Sequence, residues 1–206
     1  MAYLRYMLDH LVYLVADLPT AVARLSAMGL PCSPGGRHPQ RGTHNALLRL
    51  GPRSYLELLA PDPDTRISPP RWMGIDLGEL PRISRWAVHA GAHITQRAAL
   101  LGRGVAVQSG QRQLPGGETL RWRLTDPGSA PATAVLPFLI DWGGGPHPCD
   151  GLPEEGVTLR ELRLYHPEAD GINATLQQLG LNERAARGDA PRIEACFHGR
   201  LGLCWL

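Results

Sequence analysis

One acidic residue, Glu57, sits midway along SYLELLA (Ser54–Ala60), a run that is otherwise almost wholly apolar. The run alternates as a strand does. Tyr55, Glu57 and Leu59 take one face, and Leu56, Leu58 and Ala60 the other. Both faces are apolar, so the strand is expected to be covered on both sides. A carboxylate there is costly unless it is paired, hydrogen-bonded or bound to a cation. Thr43–Leu50 precedes it as a second strand and stops at Gly51-Pro52, a strong turn signal. Gly35-Gly36 opens the stretch as a turn and loop.

The surrounding chain can be read in order. Leu8–Val15 reads as a buried strand with Leu8, His10, Val12 and Leu14 on one face. Asp17 caps a helix with Pro19 in its first turn and Gly29 at its end. Leu30–Pro34 is a short strand. Residues 1–61 thus form a first βαβββ module. Pro61–Pro81 reads as a linker with a short turn around Trp72. The pattern then recurs over 82–143: strand Ile83–His89, helix His93–Leu101, strand Val105–Gln108, the Pro115–Gly117 turn, and strands Thr119–Thr125 and Val135–Trp142. After the breaker-rich Gly143–Pro153, residues 157–206 read as a third, partial βαββ(β) unit. Its strands are Leu159–Tyr165, Arg192–Phe197 and Leu201–Leu206, and its helix is Glu168–Leu179. This unit has no mid-strand carboxylate and is expected to pack beside the first two or to form an oligomer contact. The fold class is α+β: paired βαβββ modules forming a half-open sheet cup, plus the third partial module.

The repeat can be set in register. Gly42–Leu50 lies over Gly116–Leu124, and Tyr55-Leu-Glu-Leu58 over Leu139-Ile-Asp-Trp142. A carboxylate recurs, as Glu57 and then Asp141.

Composition excludes several functions. Every one of the 21 basic residues is Arg, so lysine Schiff-base chemistry and phosphate-loop lysines are ruled out. The 19 acidic residues nearly balance them, which gives no nucleic-acid signal. Cys32, Cys149, Cys196 and Cys204 form no CxxC pair and suit reduced thiols in a cytoplasm. No apolar run is long enough to span a bilayer, and no signal peptide is visible.

Asp9-His10-Leu-Val, Gly35-Gly-Arg-His-Pro39, Gly42-Thr-His-Asn45, Tyr55-Leu-Glu-Leu-Leu59 and Leu136–Trp142, in that order and spacing, resemble the glyoxalase-like proteins of the vicinal oxygen chelate superfamily. The resemblance implies two βαβββ modules pairing into a cup. It also implies a divalent metal held by residues on the first and last strands of each module. Carried over by position, His10, Glu57 and Asp141 are the candidate ligands, for Mn, Fe, Zn or Mg. The fourth position falls near Ile83 or Arg85, neither of which is a ligand. The implied function is a small-molecule enzyme of lyase, isomerase or dioxygenase type acting on adjacent oxygens, with Glu57 and Asp141 as catalytic carboxylates. The alternative is a binding protein that holds a drug-like ligand in the same cup without chemistry.

Strand parity then sorts the lining. Asn45, Leu47, Arg49 and Tyr55 are expected to face the cup with Glu57, and Arg121, Arg123 and Leu139 with Asp141. Leu56, Leu58, Trp122, Phe138 and Ile140 are expected to pack beneath the helices. Arg37 and His38, in the Gly-rich loop, either hold an anionic group or brace the loop. Arg85, if it points inward, neutralises Glu57 and Asp141 and makes the cup metal-free. His89 and His93 read as surface residues. His147 and Cys149 lie in a linker with too few companions for a zinc site. An open sheet also leaves edges that a second copy could cover, the basis for expecting a homodimer.

Overall fold

The computed structural model describes residues 8–114 and 117–206; Pro115 and Gly116, in the expected turn, lie outside them. The first module comprises β1 (Leu8–Leu14), α1 (Leu18–Ala27), β2 (Ser33–His38), β3 (Thr43–Gly51) and β4 (Ser54–Pro61). The Asp17 side chain accepts the Thr20 N–H at 2.9 Å and starts α1. Gly29, at φ +79°, turns the chain after it. The second module comprises β5 (Arg82–His89), the short α2 (Ile94–Ala98), β6 (Val107–Gln113), β7 (Thr119–Thr125) and β8 (Phe138–Asp141).

Boundaries differ from expectation where pairing decides them. β6 runs to Gln113 because its residues find partners along all of β7, from Val107↔Thr125 to Gln113↔Thr119. β8 begins only at Phe138, because Pro137 has no N–H to give a ladder. α2 is half the expected length.

The eight strands form one sheet in the order β2-β3-β4-β1-β5-β8-β7-β6. β1 and β5 run antiparallel at its centre, each with its own module's last strand parallel beside it. The sheet curls until its two edge strands come within side-chain reach. Arg41, just beyond β2, donates to Gln108 Oε1 on β6 at 3.2 Å. Within the curl lies a second apolar cluster that includes Val12, Leu59, Ala87, Phe138 and Ile140, with Met73 and Ile75 of the long linker packed on it.

The outer face of the sheet buries Leu11, Leu56, Leu58, Trp86 and Val88 against Leu25 of α1 and against the third unit. That unit comprises β9 (Thr158–His166), α3 (Ala169–Gln178), β10 (Ala185–Arg187), β11 (Arg192–Gly199) and β12 (Gly202–Trp205). Its sheet order is β10-β9-β11-β12. Phe197, Leu164, Ile193 and Ala195 enter the same core as β1 and β5. The third unit thus packs beside the first two modules. β10, not foreseen, is held by Asn173 of α3, whose amide bonds both the N–H and the carbonyl of Ala185 at 2.7 and 3.0 Å.

The second-module parity differs from the expectation, although Arg121, Arg123 and Asp141 still reach the cavity lining. Leu139 lies in the outer core, while Phe138, Ile140 and Trp122 lie on the concave side. The register explains this. Ala87 stands opposite Phe138 across β5/β8, as His10 stands opposite Tyr55 across β1/β4. Ile140, rather than Asp141, is therefore the counterpart of Glu57.

Candidate active site

The curled sheet encloses a cavity of about 900 Å³ whose lining includes His10, Asn45, Tyr55, Glu57, Phe138 and Ile140. Two glycines make its first corner. The β2/β3 pairing shifts register between Pro34 and Arg37, a bulge at Gly35-Gly36. A Cβ on Gly35 would stand 2.8 Å from the Asn45 carbonyl oxygen, so the backbone passes Asn45 closely. Asn45 Oδ1 accepts the Gly36 N–H at 2.6 Å, and its Nδ2 donates to Glu57 Oε1 at 2.5 Å. The amide orientation is fixed by its two partners, and Glu57 has the hydrogen bond its buried position demands.

His10 occupies the floor. Its ring stacks on Tyr55 at 4.7 Å and meets Phe138 edge-on at 5.2 Å. Its Nε2 lies 3.7 Å from Glu57 Oε2, and its Nδ1 lies 2.6 Å from Asp9 Oδ1. Asp9 is wholly buried. It sits at a bulge in β1, where the pairing with β5 shifts between Leu8 and His10. The bulge lets neighbouring residues address different sides.

Asp9 gathers donors from four directions. Besides His10, its Oδ2 accepts the Trp142 indole N–H at 2.7 Å and lies 3.0 Å from His89 Nδ1 and 3.4 Å from His147 Nε2. Burial alone pushes the Asp9 carboxyl up. The hydrogen bonds from His10, His147 and His89 outweigh it and hold the carboxyl well below the usual range.

The partners also fix the ring protons. His147 Nδ1 accepts the Cys149 N–H at 3.1 Å, so the ring's proton is on Nε2, facing Asp9. His89 Nε2 faces the Arg53 carbonyl at 3.0 Å and must donate to it. Its Nδ1 faces a carboxylate, so its two partners together favour the imidazolium, in which both ring nitrogens donate. Burial pulls the His89 pKa down, but the bond to Asp9 and its charge carry it above the ordinary value.

Asp9, His89 and His147 place three ligand atoms within 4.8 Å of one another. Their protons argue against a metal there. His147 Nε2 offers a lone pair only if Cys149 gives up its bond to Nδ1 or the ring becomes an imidazolate. The resemblance implies His10, Glu57 and Asp141 as ligands with a fourth position near Ile83 or Arg85, whereas the register makes Ala87 and Ile140 the second module's counterparts. His10 and Glu57 are donors, but their counterparts Ala87 and Ile140 have none. A metal centre of the family's four-ligand kind does not fit these residues.

The remaining sequence candidates fall in three places. Asp141 lines the cavity from the end of β8, where Arg123 donates to it at 2.5 Å and the Gly143 N–H at 3.0 Å. Burial raises its pKa, and these bonds with the Arg123 charge bring it below the ordinary value. Arg121, Arg123, Arg37 and His38 line the mouth. Arg37 is committed to Asp62, at 2.6 Å, and to Asp64, which braces the loop. His38 bonds Thr43 Oγ1 at 3.1 Å. Arg49 turns away to the Leu152 carbonyl and Glu154.

Arg85, 1 % exposed, donates to the carbonyls of Ser84, Pro131 and Ala132, and is absent from the cavity lining. It reaches neither Glu57 nor Asp141. Burial brings it down to about 10. His89, expected at the surface, and His147, expected in a bare linker, are the residues that sequence reasoning missed, with Asp9. Asp9 precedes the motif histidine directly, which was a signal. His147 gave none, since the linker's path is set by tertiary packing.

A glyoxalase-like domain model matches residues 8–180. No curated protein matches the chain in sequence. Among solved structures, a hypothetical protein from Staphylococcus aureus superposes with a TM-score of 0.66 at 14% identity, over 90% of this chain and 87% of that one. The methylmalonyl-CoA epimerase of Mycobacterium tuberculosis gives 0.44 at 20% identity, over 68% and 89%. That of Streptomyces coelicolor gives 0.47 at 19% identity, over 68% and 98%. With a matching model over most of its length and the paired-module cup to go with it, this chain belongs to the glyoxalase-like domain family.

Proposed function

We propose that the cup binds a small molecule with adjacent oxygen atoms and that Glu57 and His10 move a proton on it, an isomerase- or lyase-type reaction. The observation that carries this reading is the position of His10 between two carboxylates. Asp9 takes the Nδ1 proton, so Nε2 is the ring's basic atom, and it faces Glu57 Oε2 at 3.7 Å on the cavity floor. Two proton-handling atoms that close can divide the work, one removing a proton next to a carbonyl while the other supplies one. Asn45 holds the carboxylate still, and Tyr55 and Phe138 hold the ring, which keeps the pair aligned. Tyr55 keeps its proton and is not the base: burial, then the Asp9 and Glu57 charges, push its hydroxyl well above the ordinary value.

A second reading, ligand capture without chemistry, is favoured by the apolar wall of Leu120, Trp122, Phe138 and Ile140. One experiment separates the two. The protein is incubated in D2O with a panel of 2-oxo and 2-hydroxy acids, and solvent deuterium entering carbon is followed by NMR. Exchange that is lost in Glu57→Gln and in His10→Ala supports the enzyme. Ligand-dependent thermal shifts with no exchange by the wild type support capture.

A further inference from the structure

We infer that Arg112 is the anchor for an oxyanion at the cup mouth, and that the ligand is a small amphiphile: an apolar body ending in a carboxylate or a phosphate. This rests on the cup being the binding site, as proposed above.

Arg112 belongs to β6, one edge of the eight-stranded sheet. It pairs in register with Leu120, whose side chain is in the concave cluster, so Arg112 is directed to the concave side. Its guanidinium crosses the gap to the opposite edge strand and lies over Gly36 of β2. A Cβ on Gly36 would come 3.0 Å from Arg112 Cζ, tighter than most real Cβ contacts. Gly36 has no positive φ, so what a side chain there would meet is the Arg112 guanidinium and not backbone strain.

Three of the other guanidinia at the mouth are neutralised, while Arg121, exposed on β7, has no carboxylate partner among the described residues. Arg37 pairs with Asp62 and Asp64, Arg41 with Asp126, and Arg123 with Asp141. Arg112 has no carboxylate partner among the described residues. It lines the cavity, and its charge reaches inward to Tyr55 and His38.

A guanidinium held at a cavity mouth without an anion is set up for bidentate binding of carboxylate or phosphate. Leu120, Trp122 and Phe138 offer an apolar wall for the body of the ligand, and Glu57 and His10 line the same cavity. An oxyanion on Arg112 would thus set which carbon of the ligand meets the floor.

Thermal shift tests this with phenylpyruvate, phenyl phosphate and methyl phenylpyruvate at constant ionic strength. The wild type is expected to be stabilised by one or both anions and much less by the ester. A response to phenylpyruvate alone assigns a carboxylate, and one to phenyl phosphate alone assigns a phosphate. Arg112→Gln should weaken anion binding about tenfold or more, the scale of a lost charge-assisted pair. Gly36→Ala keeps the charge but displaces the guanidinium, and should weaken it as well. Arg112→Lys should recover part of the loss. Undiminished anion shifts in Arg112→Gln, equal shifts with the ester, or no shift with either anion would overturn the anchor. Anion shifts that survive in Glu57→Gln, with no deuterium exchange by any form of the protein, would retire the floor chemistry and leave the anchor standing.

Discussion

Trp142 donates its indole N–H to Asp9 at 2.7 Å, joining residues 133 positions apart in the chain. The bond ties the end of the second module's last strand to the start of the first module's first strand. Asp9 is fully buried and takes N–H donors from three rings besides Trp142. Removing its charge strands all of them. Asp9→Ala is expected to destabilise the fold by about 3–5 kcal/mol, the cost of breaking a buried charged network. Trp142→Phe, which keeps most of the packing, should cost about 1–3 kcal/mol. Urea unfolding of the variants checks both. Equal midpoints for the wild type and Asp9→Ala would sink the network.

The same hub predicts an asymmetric pH profile of stability. Asp9 has a folded pKa below its unfolded value, so its contribution is present above about pH 4 and fades as pH falls through the lower folded value. His89 has a folded pKa above its unfolded value. Its contribution is complete below about pH 6.5 and is lost as pH rises through the higher folded value. Stability should therefore decline as pH rises above the unfolded His89 value. His89→Gln should flatten that decline while leaving the acid limb in place. Melting midpoints between pH 4 and pH 9 measure it, and an alkaline limb unchanged in His89→Gln would contradict the assignment.

How far the sequence exposed all this depends on the range of the interaction. The alternation in β4 and the Glu57 anomaly are local, and they located the cup wall correctly. The carboxylate of Asp141 looked like the partner of Glu57 because Tyr55-Leu-Glu-Leu58 aligns with Leu139-Ile-Asp-Trp142. The cup face of β8 is set by its pairing with β5, which puts Ile140 opposite His89 and leaves Asp141 one residue out of phase. Strand phase flips with a shift of one residue, and nothing within Leu136–Trp142 fixes it. The Asp9 hub was hidden for a different reason. Its donors come from β1, β5 and two positions in the linker after β8, which only the closed fold brings together. Arg85 was misplaced inward because its carbonyl partners, Pro131 and Ala132, belong to a connection with no pattern of its own.

Metal dependence is predicted to be weak or absent. His10 and Glu57 are the only donors at the four register-related positions, and the Asp9 cluster is filled with protons. Purified protein dialysed against buffer should retain no stoichiometric divalent ion, and chelator should leave its melting midpoint unchanged. Should a tightly held ion be found and be lost together in His10→Ala, Glu57→Ala and Asp141→Ala, the three-ligand centre expected from the sequence would be restored.

The third unit is predicted to be integral to the fold and not an appendage. Phe197 of β11 is fully buried in the same core as Leu11 and Trp86. Phe197→Ala should cost about 3–5 kcal/mol and unfold the chain in a single transition. A separate early transition that leaves the eight-stranded sheet intact would show instead that the two sheets are only loosely coupled.

Asp9 is predicted to act on the chemistry through His10. As a carboxylate it accepts the Nδ1 proton and leaves Nε2 as the basic atom facing Glu57. An asparagine there can turn its amide N–H₂ toward Nδ1. That favours the opposite tautomer, with the proton on Nε2 and the lone pair turned away from the cup. Asp9→Asn should lower the rate of deuterium exchange by about 10²–10⁴, the usual worth of one acid–base group. KM should change little, since Asp9 is absent from the cavity lining. A purely structural role would instead lower the amount of folded protein while leaving kcat per folded molecule intact. Rates normalised to the folded fraction at the same temperature tell the two apart.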